Sequence, residues 1–245
     1  MNSTIYFLHI GKTGGTALEH AMLNYRKLML TNGETTNIFK YRKNTKRFSN
    51  IPVSNQNKST ILLCSHQSCI TDIHVGDKIV LLVRDPISRF VSAFYHGKRI
   101  LSKSKKAKQI FSHFDTPNQL AASQANPYCN THKIALSALK GLGHASRASF
   151  WYKNIEYFKS RVDDVLFIGF TETLDSDFKK LKKILHIPDE ITLPEEYTQA
   201  NKGPTYVTDE QKTIYEPGLT FLKEWYKQDI KFVNMCREIM ASRAR

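Results

Sequence analysis

Residues Thr4 to Leu30 read TIYFLHI, then GKTGGT, then ALEHAMLNYRKLML, and this succession decides the fold. The first stretch is an apolar run of strand length, with β-branched and aromatic residues. The last stretch places its apolar residues at helical spacing. Between them lie Gly11, Lys12, Thr13, Gly14, Gly15 and Thr16. Glycines let a backbone wrap closely round an anion with its N–H groups turned inward. The helix N-terminus after the turn adds N–H groups without intrahelical partners and the positive end of a dipole. Lys12 adds a full charge. Strand, glycine-rich turn and helix thus form a phosphate cradle.

Working outward, residues 31–58 are polar and read as a loop or excursion. Three more runs read as strands: Ser59 to Ser65 (STILLCS), Lys78 to Arg84 (KIVLLVR) and Asp164 to Phe170 (DVLFIGF). The nearly continuous apolar centre of KIVLLVR suits a strand buried on both faces of a parallel sheet. Asp85-Pro86 opens a helix, with Asp as N-cap and Pro at the first position. Helical patterns fill much of 115–161, Thr173 to Leu185 is amphipathic and ends before Pro188, and a last helical region runs from Asp209 to about Ala241. No internal repeat and no linker divides the chain. The expectation is one α/β domain over 1–245, with a central, mostly parallel sheet flanked by helices.

The bulk numbers restrict function less than they restrict class. The chain has 245 residues, and 36 Lys+Arg against 22 Asp+Glu give a net charge of +14. A hydrophobic fraction of 41% excludes a disordered chain, and 11 Gly with 8 Pro exclude a fibrous one. Every apolar run is broken by polar residues, so no membrane span is expected. No basic leader or small-residue cleavage site precedes the first strand, so no signal peptide is expected. The charge points to an anionic substrate or partner without saying which. Cys64, Cys69, Cys129 and Cys236 read as free thiols in a reducing compartment. Cys64, His66, Cys69, Cys129 and His132 match no common zinc spacing.

A second element stands about 70 residues beyond the first: LLVRDPISRFVSAFYHGKR, Leu81 to Arg99. Arg84 ends a strand, at the edge where parallel sheets bind ligands. Ser92 lies eight residues on, two turns into the next helix. An Arg fork and a hydroxyl so spaced can converge on one phosphate, the alternative being surface salt bridges by Arg84 and Arg89 with Ser92 as a filler. The first element is not a Walker A loop, because Tyr6 stands where that motif needs a glycine.

With these two elements the chain resembles the sulfotransferases that use 3′-phosphoadenosine-5′-phosphosulfate (PAPS), especially carbohydrate sulfotransferases related to heparan sulfate 2-O-sulfotransferase. The resemblance implies a P-loop-like sulfotransferase fold, with Gly11 to Thr16 on the 5′-phosphosulfate. It implies that the segment Arg84-Asp85-Pro86 to Arg89-Phe90-Val91-Ser92-Ala93-Phe94-Tyr95 holds the 3′-phosphate, through Arg84 and Ser92. Phe167 to Leu185 is similar to the family's late strand-turn-helix. Asn201-Lys202-Gly203 stands where the family has a loop closing over the nucleotide, which makes Lys202 and Gly203 cofactor-binding candidates. The reaction implied is sulfuryl transfer from PAPS to an acceptor hydroxyl, releasing PAP, with no metal required.

Relatives place a catalytic His or Glu just after the second strand, and His66 in CSHQSC is the candidate base. An imidazole titrates near neutrality, which suits that work. Lys12 is the candidate catalytic cation for the leaving phosphate, helped by the Thr13 and Thr16 hydroxyls. Relatives often carry His-Gly-His there, and Cys64 occupies the first His position. Glu19 and His20 read as ordinary helix residues, and His96 as structural. The acceptor class implied is a carbohydrate, with an acidic glycan suited to the basic run 102–109, which equally suits a solvated surface. Asn126 to Lys133 is a candidate acceptor-side loop. The family's eukaryotic glycan enzymes carry a membrane anchor; none is visible here, so a soluble, cytoplasmic, bacterial- or phage-type enzyme is expected, with no nucleic acid partner. Two other readings remain: a P-loop kinase or phosphotransferase, which needs a Walker A loop and Mg²⁺, and a basic polyanion-binding module, which needs no nucleotide pocket.

Overall fold

A computed structural model describes residues 4–41, 60–100, 104–195 and 208–243. It packs as two compact units, each assembled from separate stretches of chain. The first comprises 1–83, 148–198 and 236–245, and the second 84–147 and 199–235.

The first unit holds the sheet. Its strands are β1 (Thr4–Leu8), β2 (Ile38–Tyr41), β3 (Thr60–Cys64), β4 (Lys78–Val83) and β5 (Val165–Phe170). They lie in the order β2-β3-β1-β4-β5, and every pair is parallel. In register, Phe7 of β1 stands between Leu63 of β3 and Val80 of β4. Successive residues of β1, β3 and β4 are buried, so neither face of these strands meets water. One face, carrying Ile5, Phe7, Ile61, Leu63, Val80, Leu82 and Phe167, packs on α1 (Gly15–Thr31) and α8 (Leu174–Leu185). Each such buried Phe, Leu or Ile contributes about 2 kcal/mol. The α/β class, the parallel sheet and its flanking helices match the sequence reading.

This strand order creates a switch point. The chain leaves β1 through α1 toward β2 on one side, while β5 lies beside β4 on the other. The crevice at the carboxyl ends of such neighbours is where open α/β sheets bind ligands. Both the glycine loop after β1 and the end of β4 lie there.

The second unit is helical. It holds α2 (Pro86–Ile100), α3 (Lys105–Phe111), α4 (Pro117–Ala125), α5 (His132–Gly141), α9 (Asp209–Lys212), α10 (Gly218–Trp225) and most of α11 (Lys227–Arg243). The short helices α6 (Ser149–Tyr152) and α7 (Ile155–Lys159) belong to the first unit. Phe90, Phe94, Ile110, Leu120, Leu139, Leu222 and Tyr226 form the second unit's core.

Three local expectations need correction. The stretch read as a loop over 31–58 contains β2, whose residues pair with Ile61 to Cys64 of β3. It has only four residues, and Ile38 alone among the first three is buried, so no alternation announces it. The basic run contains α3, capped by Ser104, whose side chain accepts from the Ala107 N–H at 3.1 Å. Ala107 and Ile110 face inward while Lys105 and Lys108 stay exposed. The last helical region is three helices, broken at Thr213 to Pro217 and again at Tyr226.

Candidate functional site

The glycine loop is built by left-handed backbone. Lys12 has φ 66° and Gly14 has φ 88°. For Gly14 the conformation is free of a Cβ clash, and a Cβ there would also stand 3.0 Å from the Leu174 side chain. Lys12 has no such freedom, and holding it left-handed costs about 1–2 kcal/mol. Strain of this kind persists where the fold over-determines it, and it clusters at working sites.

Neighbouring bonds supply that determination. The Thr13 hydroxyl, fully buried, donates to the Ile10 carbonyl at 2.8 Å. The Thr171 hydroxyl lies 2.8 Å from the Thr13 carbonyl and 3.2 Å from that of Val83, donating across both. One side chain at the end of β5 thus ties the loop after β1 to the end of β4. Thr13 therefore uses its hydroxyl to hold the loop. Thr171 lies inside the late strand-turn-helix, where nothing in the sequence singles it out.

Helix α1 begins directly after the loop, with Gly14 as N-cap. Gly14 has no side chain with which to cap it, and the first turn contains no acidic residue. The N-terminus of this 17-residue helix therefore turns toward the loop a positive field that no carboxylate of its first turn offsets. Thr16, in the first turn, is exposed.

His66 stands two residues beyond β3. It lines a pocket of about 170 Å³ together with His9, Thr16, Glu19, Lys40 and Ser65. Its ring centroid lies 3.8 Å from that of His9, the planes tilted by 45°. Its carbonyl accepts from Trp151 Nε1 at 3.1 Å, which pins the backbone behind the ring. Crowding by protein lowers the His66 pKa below its ordinary 6.5, and Lys12 pushes the same way. A hydrogen bond with the His9 backbone and the Glu19 charge oppose the shift. The ring is thus held neutral at neutral pH, the form a base needs. Glu19 pairs with Lys40 at 2.7 Å across the same pocket. Burial raises the Cys64 thiol to about 12, so it is an inert wall.

The sequence reading misses His9, Glu19 and Lys40. His9 has the signal of standing two residues before the glycine loop, but it lies inside an apolar run. Glu19 reads as an ordinary helix residue, and Lys40 falls in a stretch that reads as loop. The second imidazole absent at Cys64 comes instead from the end of β1.

The second unit carries Arg84 and Ser92. Arg84 is the first residue beyond β4, and both it and Ser92 are half-buried. Asp85 caps α2 as the sequence indicates, its carboxylate accepting from the Ser88 N–H at 2.8 Å. Arg89 of the same segment is buried and committed elsewhere. It donates to the carbonyls of His144 at 2.8 Å and Ser146 at 2.7 Å, and it pairs with Asp229 at 3.2 Å. His96 is half-buried, its ring edge-on to His144 at 5.2 Å. The candidate acceptor loop joins α4 to α5 and presents Tyr128, 93% exposed. Lys202 and Gly203 lie outside the described residues.

The four cysteines are free thiols. Among the described residues, no group of three or more His, Cys, Asp or Glu could hold a metal ion. No helix among them is long and apolar enough to cross a membrane.

The crystal structure of mouse sulfotransferase SULT7A1 complexed with PAP matches with 15% identity and a TM-score of 0.44, covering 98% of this chain and 85% of that one. No curated protein matches the chain. A family model described as the sulfotransferase family matches residues 2–233, and the chain belongs to that family.

Proposed function

We propose that the protein transfers a sulfuryl group from PAPS to an acceptor hydroxyl on a carbohydrate, with His66 as general base and Lys12 as the cation at the leaving phosphate. The observation that carries this is the strained glycine loop at the start of α1, with a neutral imidazole beside that helix. The loop and the first turn of α1 supply donors and positive field for the 5′-phosphosulfate. Arg84 and Ser92 take the 3′-phosphate, and Lys202 and Gly203 contribute to nucleotide binding.

The chemistry balances without a further reactant. The acceptor oxygen attacks sulfur while its proton passes to the imidazole of His66. The bond between sulfur and the bridging phosphate oxygen breaks, and PAP leaves with the added negative charge on that oxygen. Lys12 and the loop N–H groups meet that charge as it develops, so they stabilise the transition state more than the bound donor. Departure of the acceptor-derived proton to bulk water restores His66.

Calorimetry with PAP, against ATP with Mg²⁺, tests the proposal, followed by a screen of glycans and small alcohols with labelled donor. PAP binding without metal, and label on a sugar hydroxyl, are expected. Binding of ATP·Mg²⁺ in preference to PAP would instead support a phosphotransferase and overturn the proposal.

A further inference from the structure

We infer that His9 is a positioning residue, whose imidazole is wedged between Gly15 of the phosphate loop and His66 and sets the distance between anion cradle and base. The inference rests on the reading of His66 as that base. His9 stands at the end of β1, 9% exposed, and its ring has a neighbour on either side. On one side it lies against His66 at 3.8 Å between centroids. On the other it covers Gly15 so closely that a Cβ there would lie 2.2 Å from its Cδ2 and 2.3 Å from its Nε2. Such distances are far inside van der Waals contact. Gly15 is therefore glycine because the imidazole occupies its side-chain space.

The consequence is mechanical. Gly15 opens α1, whose N-terminus ends the anion cradle. His66 lies beyond β3, reached in sequence only after about fifty further residues. Parallel pairing of β1 and β3 brings the two strand ends side by side, and the His9 ring fills the space between the loop beyond β1 and the turn beyond β3. A flat, rigid filler transmits the position of the cradle to the base. The His9 backbone helps, since its hydrogen bond with the His66 ring fixes how that ring is turned.

The groups around His66 are Lys12 from the loop, Glu19 from α1, Lys40 from β2, Cys64 and Ser65 from the end of β3, and His9 itself. Of these, His9 is the one whose ring covers a face of the imidazole. Removing its side chain admits water to that face while the neighbouring charges stay. The desolvation that depresses His66 then weakens, and its midpoint rises toward 6.5. The neutral form is the base, so the rate climbs with pH through this midpoint, and the acid limb moves up with it.

The test compares His9→Ala, His9→Phe and Gly15→Ala, reading the His66 midpoint by imidazole NMR, kcat and KM for transfer, and PAP affinity by calorimetry. In His9→Ala the midpoint should rise and kcat fall about tenfold to a hundredfold, with PAP affinity within about threefold. His9→Phe keeps a flat ring and should restore the midpoint and most of kcat. Gly15→Ala displaces the ring from the other side and should raise the midpoint as His9→Ala does. It supplies the same readout should His9→Ala fail to fold. An unchanged midpoint in both His9→Ala and Gly15→Ala would overturn the inference, as would a Phe variant impaired as deeply as the Ala one. Because the midpoint is read without turnover, this failure is separate from that of the base assignment, which falls if His66→Ala stays active.

Discussion

Removing the Arg89 side chain should destabilise the protein while leaving nucleotide recognition largely intact. Arg89 and Asp229 are each 2% exposed and lie 3.2 Å apart. The guanidinium also serves two carbonyls of residues 144 and 146 and lies 5.6 Å over the Tyr226 ring. Truncation leaves the Asp229 carboxylate without its buried cation, a change that costs about 3–5 kcal/mol. Domains of this size shift by about 2–4 °C per kcal/mol, so Arg89→Ala should melt about 6–20 °C below the parent. Set against a typical stability of about 5–15 kcal/mol, much of the variant stays folded when cold. Arg89→Lys keeps the charge but not the fork, and should fall between. Arg89→Met with Asp229→Leu removes both charges and should recover most of the loss. Thermal melts by circular dichroism, with PAP calorimetry at low temperature, decide the matter. A melt within about 2 °C of the parent, below the shift expected for even one lost kcal/mol, would refute the reasoning. So would an unchanged melt with PAP affinity down more than about tenfold, which would return Arg89 to the phosphate.

Three further outcomes come from the site. Lys12→Ala should lower kcat for transfer by about 10²–10³, as loss of one transition-state donor does; Lys12→Gly should be as inactive yet about 1 kcal/mol more stable than the Ala variant, because only glycine relieves the φ of 66°, and paired melts measure the difference. Arg84→Ala should weaken PAP about tenfold to a hundredfold but leave adenosine 5′-phosphosulfate, which lacks the 3′-phosphate, nearly unchanged by calorimetry. His66→Ala should cost about 10²–10⁴ in kcat, and the parent's rate should fall with acid through a midpoint below 6.5, because crowding lowers the pKa and the rate needs the neutral ring.

The strand, loop and helix over residues 4–31 are legible because local pattern and tertiary fate agree. β1 is apolar on both faces because it is central, and glycines stand where left-handed backbone and a neighbouring ring require them. Asp85 is legible for the same reason, since its cap bond spans only three residues. The hidden part depends on contacts between distant parts of the chain. His9 and His66 are 57 positions apart and meet only through the pairing of β1 with β3. Glu19 meets Lys40 because β2 adds to β3, and β2 is too short and too polar at its flanks to be seen. Arg89 shares a motif with Arg84, but its partner Asp229 is 140 residues away. A segment pattern cannot separate the residue that faces ligand from the one that holds the helix down.

The same distinction applies to the charge of +14. Several cations hold the fold together. Arg161 pairs with Asp164 and donates to the carbonyls of Ile73 and His74; Arg243 donates to those of Val162 and Val165; Lys182, almost wholly buried, reaches the Asp189 carbonyl. In the pocket beside His66, Lys40 is neutralised by Glu19. Other lysines, such as Lys105, Lys108, Lys179 and Lys183, stand on exposed helix surface. Charges so placed act on an anion through the summed field, which speeds encounter and is screened beyond about 8–10 Å at physiological salt. They do not choose the anion. Choice rests with fixed donors at short range, and under the proposed function those belong to the loop that is strained at Lys12 and leads into the N-terminus of α1. On that reading the excess charge describes how a donor arrives, and the loop what is done with it.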